Sequence, residues 1–351
     1  MAFQKTRVAV LFGGRSSEHE VSARSAASII GALDPARYVA IPVAIERSGL
    51  WLEPAESAAL LPADAGERCS VAGVELHPEP GRSQGFDVVF PALHGPYGED
   101  GRLQGLLDLA DVPYVGSGVL ASACGMDKDV MKQLFRFHGI PTLDHVAVAW
   151  RNLGDQLEEI EEAIGYPAFV KPANLGSSVG IRRAGGRRSL EEALEYAAEF
   201  DDKMIVEPEV VAREIECGVL GNEEPEVSVP GEIVVDGGFY DYDTKYLNDT
   251  ADLRVPAELS EPQGREIGEL ALKAYQAIGC SGLARVDFFI ETGSGRIWVN
   301  EVNTMPGFTS ISMYPRMWAS SGVPYPALID RLIGLAFSRH ERKRRIRFDQ
   351  Q

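Results

Sequence analysis

The apolar positions of this chain fall into short unbroken runs separated by glycine-rich or polar loops. Thr6 to Phe12 and Asp87 to Leu93 each carry a continuous apolar run that ends at a glycine-containing turn, a pattern that predicts strands buried on both faces. Further strands are expected within residues 38 to 52, over Pro167 to Pro172, from Val179, over Lys203 to Glu207 and over Gly231 to Asp236. Amphipathic stretches predict helices at Ser16 to Ala32, 102 to 110, Met126 to His138, Leu190 to Phe200, 261 to 278, 313 to 320 and 325 to 340. Ser17 and Glu20 stand in capping-box spacing at the start of the first. Glu53 to Gly85 is rich in Pro, Gly and Ala and shows no period.

Ala284 to Gly307, ARVDFFIETGSGRIWVNEVNTMPG, organises the rest. Val286 to Ile290 and Arg296 to Val299 are rich in β-branched and aromatic residues around the turn Gly293-Ser294-Gly295, so a hairpin is predicted. Side chains alternate between the faces of a strand, which puts Arg285 and Asp287 on one side and Glu301 and Asn303 on the same side of the partner. Two carboxylates and an amide suit Mg²⁺, which keeps its other positions for water and phosphate oxygens. Zn²⁺ would require His or Cys here.

Three loops add candidate chemistry. Gly13-Gly14 leads from the first strand into a helix, and such a turn often holds an anion. Glu18 and Glu20 put negative charge there, so a cationic ligand group is expected instead. His94-Gly95-Pro96-Tyr97-Gly98-Glu99-Asp100-Gly101 follows a buried strand at the end where open α/β sheets place ligands. Ala173-Asn174-Leu175-Gly176-Ser177-Ser178, entered by Lys171, lets backbone N–H groups approach phosphate closely. It is not a Walker A sequence. Glu207 and Glu214 could receive an adenine amino group and ribose hydroxyls, and Lys245 and Tyr246 fall in an aromatic, charged loop, YDYDTKYLN.

Composition narrows the partners. At 351 residues the chain predicts two or three domains, and 34 basic against 52 acidic residues leave a net charge of −18, which repels a nucleic-acid backbone. An anionic substrate must therefore be met by local positive charge. The basic run Glu341 to Arg347 is expected to be a solvated helix end. Cys69, Cys124, Cys217 and Cys280 form no CxxC pair, which points to a reduced, cytoplasmic protein. No stretch reaches the ~18 apolar residues that a membrane helix needs, and no signal-peptide pattern opens the chain.

Seven segments in order carry a resemblance: GGRSSEHEVS (13 to 22), LHGPYGEDGRLQG (93 to 105), MDK (126 to 128), KPANLGSSVG (171 to 180), YDYDTKY (240 to 246), ARVDFF (284 to 289) and NEVNTMPGFTSISMYP (300 to 315). Together they resemble the ATP-grasp superfamily and, within it, the D-alanine:D-alanine ligases. The resemblance implies an α/β protein of three domains: a Rossmann-like parallel-sheet substrate domain over 1–125, a central ATP-grasp lid domain over 126–212 and a C-terminal ATP-grasp catalytic domain over 213–351. ATP would lie between the last two. Glu18 is similar to the residue that receives the first D-alanine's ammonium, and Ser177 and Tyr246 to those that link to it across a closed lid. Lys128, Lys171 and Lys245 resemble phosphate lysines, Glu207 and Glu214 nucleotide acids, and Asp287, Glu301 and Asn303 the ligands of two Mg²⁺ (or Mn²⁺) ions. Arg285, Gly307, Ser312, Met313 and His94 match substrate-side positions. A homodimer and a bound monovalent cation are further expectations.

The implied reaction uses ATP to turn the first D-alanine into an acyl phosphate, which the second amine attacks to give D-alanyl-D-alanine for cell-wall precursors. Phosphoryl transfer depends on positioning and charge neutralisation, and Arg285 with the Gly307 amide would meet the oxyanion that develops as the amine adds. The rival readings are a ligase joining D-alanine to D-lactate or D-serine, and an ATP-binding regulatory module without chemistry. Tyr246 argues against the lactate type, and the full set Arg285, Asp287, Glu301 and Asn303 against the second.

Overall fold

The computed structural model describes residues 4–71, 85–154, 156–235 and 251–347. Its first sheet is parallel: β1 (Thr6–Gly13) lies between β2 (Tyr38–Ile45) and β3 (Val88–Pro91). Alternation along β1 sorts its side chains between two layers. Val8, Val10 and Phe12 pack with Ala26, Ile29 and Ile30 of the helix His19–Ala32, while Ala9 and Leu11 pack with Leu103 and Leu107 of the helix Arg102–Leu109. A strand covered on both faces needs the unbroken apolar run that its sequence shows.

The second sheet is antiparallel and comprises β4 (Val146–Ala149), β5 (Ala168–Pro172), β6 (Arg182–Ala184) and β7 (Lys203–Pro208) in the order β4-β7-β5-β6. The helices Leu157–Ala163 and Arg187–Ala197 cover it through Leu157, Ile160, Leu190 and Leu194. The third sheet holds β8 (Ala212–Gly221), β9 (Glu226–Val227), β10 (Gly231–Val235), β11 (Ala251–Arg254), β12 (Gly282–Glu291) and β13 (Ile297–Asn303), in the order β11-β10-β8-β12-β13 with β9 beside β8. Its inner face, Ile215, Cys217, Val219, Ala284, Val286 and Phe288, packs with Ile267, Leu270 and Ala271 of the helix Glu261–Ala277. On the opposite face Leu220 and Leu283 cluster with Tyr314 and Trp318, and the stretch beside them carries polar residues.

Two expectations are corrected. The first helix begins at His19 with Glu18 at its N-cap and no side-chain cap, because Gly13 and Gly14, at φ 89° and 90°, turn the chain before the helix forms. Ser16 Oγ accepts from Glu18 N–H at 3.1 Å. Residues 38 to 52 give one strand and an isolated bridge, Ile45 to Trp51. The basic C-terminal run is exposed over residues 341 to 347, as expected, and surface ion pairs tether part of it. It ends the helix Tyr325–Arg344, where Lys343 Nζ lies 2.5 Å from Asp108, His340 Nε2 lies 2.9 Å from Asp111, and Arg342 pairs with Glu223.

The Gly13 turn generates a first prediction. A Cβ there would lie 2.3 Å from the Ile45 carbonyl oxygen, and φ is +89°. Gly13→Ala should therefore cost about 2 kcal/mol or more in urea unfolding. A loss under half that figure would show that the turn relaxes.

Candidate active site

β12 and β13 pair antiparallel with Arg285 opposite Asn303 and Asp287 opposite Glu301, and the register then shifts so that Phe288 meets Val299. Asn300 is the extra residue of this bulge, which bends the strand at the site and re-aims its side chains. On the other flank Asp287 faces Glu216 and Phe289 faces Glu214 of β8. The polar face thus reads, row by row, Gly218, Arg285 and Asn303, then Glu216, Asp287 and Glu301, then Glu214, Phe289 and Trp298. Carboxylates sit in the middle row and an aromatic platform with one acid lies beside it.

Positive charge converges on those acids. Arg285 donates from Nε and Nη2 to the two oxygens of Asp287 at 2.7 and 2.8 Å, and its Nε lies 3.1 Å from Glu216. Burial opposes the guanidinium's charge, but Asp287 and Glu216 outweigh it and raise its pKa. Asn303 donates to Asp287 at 2.9 Å. Lys128 Nζ donates to the Leu175 carbonyl at 2.6 Å and lies 3.3 Å from Glu301, so it ties the glycine-serine loop to β13. Its helix, Lys128–Phe137, is capped by Asp127, which accepts from Val130 N–H.

Glu207 is buried with Lys132 at 2.5 Å and Lys171 at 2.6 Å. Burial would raise its pKa, yet the two ammonium groups hold it well below the usual carboxylate range. Lys132, whose Nζ also donates to Thr142 at 3.0 Å, is pushed down by burial and partly restored by Glu207.

The N-terminal loops close over this face. Ser177 Oγ donates to Glu18 at 2.5 Å, and Ser177 and Ser178 hold left-handed φ values of 52° and 57°, a cost that ordered loops bear chiefly at functional positions. His94 is buried, with Nδ1 3.0 Å from the Met305 carbonyl and Nε2 3.0 Å from Ser25 Oγ. Both ring nitrogens are engaged, so it braces the 300s loop. Ser312 Oγ bonds Thr309 and stands close to Gly307, whereas Met313 is turned into a small apolar cluster with Ile233 and Met317. Lys245 and Tyr246 lie outside the described residues.

The donors fit a divalent cation and a nucleotide. Among the described residues no three His, Cys, Asp or Glu side chains form a metal cluster; the carboxylates of Asp287 and Glu301 and the Asn303 amide are hard-oxygen donors of the kind that Mg²⁺ or Mn²⁺ accepts beside phosphate oxygens. A cavity of about 330 Å³ lies elsewhere, among apolar side chains such as Leu11, Val43 and Phe86. It carries little chemistry. The reactive groups line a smaller cleft at Glu214, Glu216, Asp287, Phe289, Asn300 and Glu301.

Two antiparallel sheets meeting across lysines and carboxylates place the chain among the ATP-grasp enzymes. The family model described as D-ala D-ala ligase N-terminus matches residues 7–117, and that described as D-ala D-ala ligase C-terminus matches 134–334. The chain belongs to the D-alanine–D-alanine ligase family. It is 48% identical over 344 residues to a D-alanine–D-alanine ligase of Solibacter usitatus, covering 98% of this chain and 99% of that one, and 45% identical over 361 residues to one of Geobacillus kaustophilus, covering 98% of each. A D-alanine–D-alanine ligase structure from Coxiella burnetii superposes with a TM-score of 0.83 at 38% identity, over 97% of this chain and 96% of that chain. A D-Ala:D-Ser ligase from Enterococcus faecalis gives the same TM-score and identity over 95% of this chain and 100% of its own.

Sequence reasoning passed over Glu99, Lys132 and Glu216. Lys132 lies four residues after Lys128, on the same side of one helix, and that spacing was a usable signal. Glu99 accepts from Gly95 N–H at 2.7 Å, and burial followed by the Glu18 charge pushes its carboxyl up to about 8. A carboxyl whose folded pKa exceeds its unfolded value binds its proton better when folded, so its contribution falls as pH rises from about 4.5 to about 8. Glu99→Gln should therefore flatten the decline of melting temperature across that window. Parallel wild-type and mutant curves would contradict it.

Proposed function

We propose that the enzyme uses ATP to join two D-alanines, through a D-alanyl phosphate, into D-alanyl-D-alanine for peptidoglycan precursor synthesis. The observation that carries this reading is the 2.5 Å bond from Ser177 to Glu18, which sets a carboxylate for a substrate ammonium against the loop that covers the phosphates. Asp287, Glu301 and Asn303 would hold the Mg²⁺ or Mn²⁺ ions. A bound divalent cation supplies charge neutralisation for the phosphoryl group. Lys128 and Lys171, with Lys245, steady the phosphate chain, while Glu207 and Glu214 receive the adenine amino group and the ribose hydroxyls.

Glu18 binds the first D-alanine's ammonium and so turns its carboxylate toward the phosphate. Arg285 then meets charge on the transferring phosphoryl group and, with the Gly307 amide, on the oxyanion formed when the second amine adds. Ser312, at the start of the helix Met313–Ser320, orients the second substrate. Ser177 and Tyr246 keep the cover shut, which protects the acyl phosphate from water. We place this chemistry in three domains, 1–125, 126–212 and 213–351, in a cytoplasmic homodimer.

Phosphate release with ATP and, in turn, D-alanine, D-serine and D-lactate should be fastest with D-alanine alone. Equal release with D-alanine plus D-serine, with the mixed dipeptide as chief product, would move the assignment to the D-serine type. Arg285→Ala should lower turnover on the order of 10² or more, by analogy with loss of an oxyanion donor, with little change in ATP affinity. A defect confined to nucleotide binding would refute the role given to Arg285.

A further inference from the structure

We propose that Glu216 is a positioning residue for the ligation: it holds the Arg285 guanidinium in place when Asp287 is drawn to the catalytic cation. The inference rests on the roles given above to Arg285 and Asp287.

Asp287 carries competing claims. Its two oxygens accept from Arg285 at 2.7 and 2.8 Å, one also accepts from Asn303 at 2.9 Å, and the same carboxylate is a donor to the cation. A carboxylate has about four lone-pair sites, so cation binding must weaken its hold on the guanidinium. The cation also repels the guanidinium directly. An arginine held by Asp287 alone would be free to swing away at the step that needs it.

Glu216 answers both effects. It lies on β8 directly across from Asp287, on the flank away from Glu301 and Asn303, so the donors of the cation and the holder of the arginine occupy opposite sides of β12. Its Oε2 is 3.1 Å from Arg285 Nε. The backbone of Glu216 is paired to Gly231 of β10 and to Asp287 of β12, and the residue is 5% exposed. A carboxylate fixed on a central strand and buried beside a cation cannot exchange it for water cheaply.

The test is a double-mutant cycle on turnover, joined to a binding measurement that needs no turnover. Glu216→Gln keeps the shape and removes the charge, and it should lower kcat about tenfold, as loss of a residue that orients a catalytic group does, while KM for D-alanine stays within about threefold. Calorimetric titration with Mg²⁺ and a non-hydrolysable ATP analogue should give an affinity within about threefold of wild type. In an Arg285→Ala background the same substitution should cost nothing further, because the group it positions is gone. Full additivity of the two losses, a silent Glu216→Gln, or a fall in analogue affinity as large as the fall in kcat would each overturn the proposal. If Glu216→Gln does not fold, Glu216→Asp, which retracts the carboxylate by one methylene, carries the same cycle. If Arg285→Ala itself is silent, the reading of Arg285 fails and this inference fails with it; if Arg285→Ala is costly and the cycle is additive, only this inference fails.

Discussion

Three carboxylates in one row, Glu216, Asp287 and Glu301, stand on adjacent strands of a single sheet face. Neighbouring strands are about 4.8 Å apart, so the side chains of such a row repel one another, and their partial burial strengthens the repulsion. The fold answers with Arg285 between the first two and Lys128 against the third. Much of the remaining architecture follows from delivering those cations. Lys128 comes from the start of a helix capped by Asp127, and it reaches β13 while holding the Leu175 carbonyl. A single ammonium thus couples the acid row to the loop above it, and any change in charge at the row is felt by that loop.

The same logic explains a second buried cluster. Lys132 has almost no exposure and would be costly in isolation. It is tolerated because Glu207 lies at 2.5 Å, with Lys171 on the other oxygen at 2.6 Å. One anion between two cations leaves a net positive charge of one in this buried cluster, in a protein whose overall charge is −18. An anionic nucleotide is therefore drawn by a local field that opposes the global one.

How far the sequence revealed this depended on the range of the interactions. Arg285, Asp287, Glu301 and Asn303 were placed on one face by period-two alternation and a short glycine turn, both local properties. The bulge at Asn300 was not legible, since no residue type there demands an extra position, and without it Glu301 would not sit opposite Asp287 while Val299 sits opposite Phe288. Glu216 was missed for a related reason. It lies far earlier in the chain, and only the pairing of β8 with β12 brings it to Arg285. The Ser17 and Glu20 spacing misled because the left-handed glycines before it decide where the helix can start.

Glu18 shows how one residue can carry both a structural and a chemical demand. A glutamate at a helix N-terminus is favoured by the helix dipole wherever its side chain points, so its presence there would say little. Its carboxylate reaches instead to Ser177, on a loop that holds two consecutive non-glycine residues in the left-handed region. Such a conformation persists when the surrounding structure over-determines it. Lys128 on the Leu175 carbonyl, Asp201 on the Asn174 N–H at 2.6 Å and Glu18 on Ser177 are the constraints that do so. Two of the three, Lys128 and Glu18, are groups assigned to bind substrate. On the roles proposed for them, ligand binding and loop closure would compete for the same atoms, so arrival of phosphate at Lys128 or of an ammonium at Glu18 would change the energy of the strained loop and carry occupancy of the site to its cover.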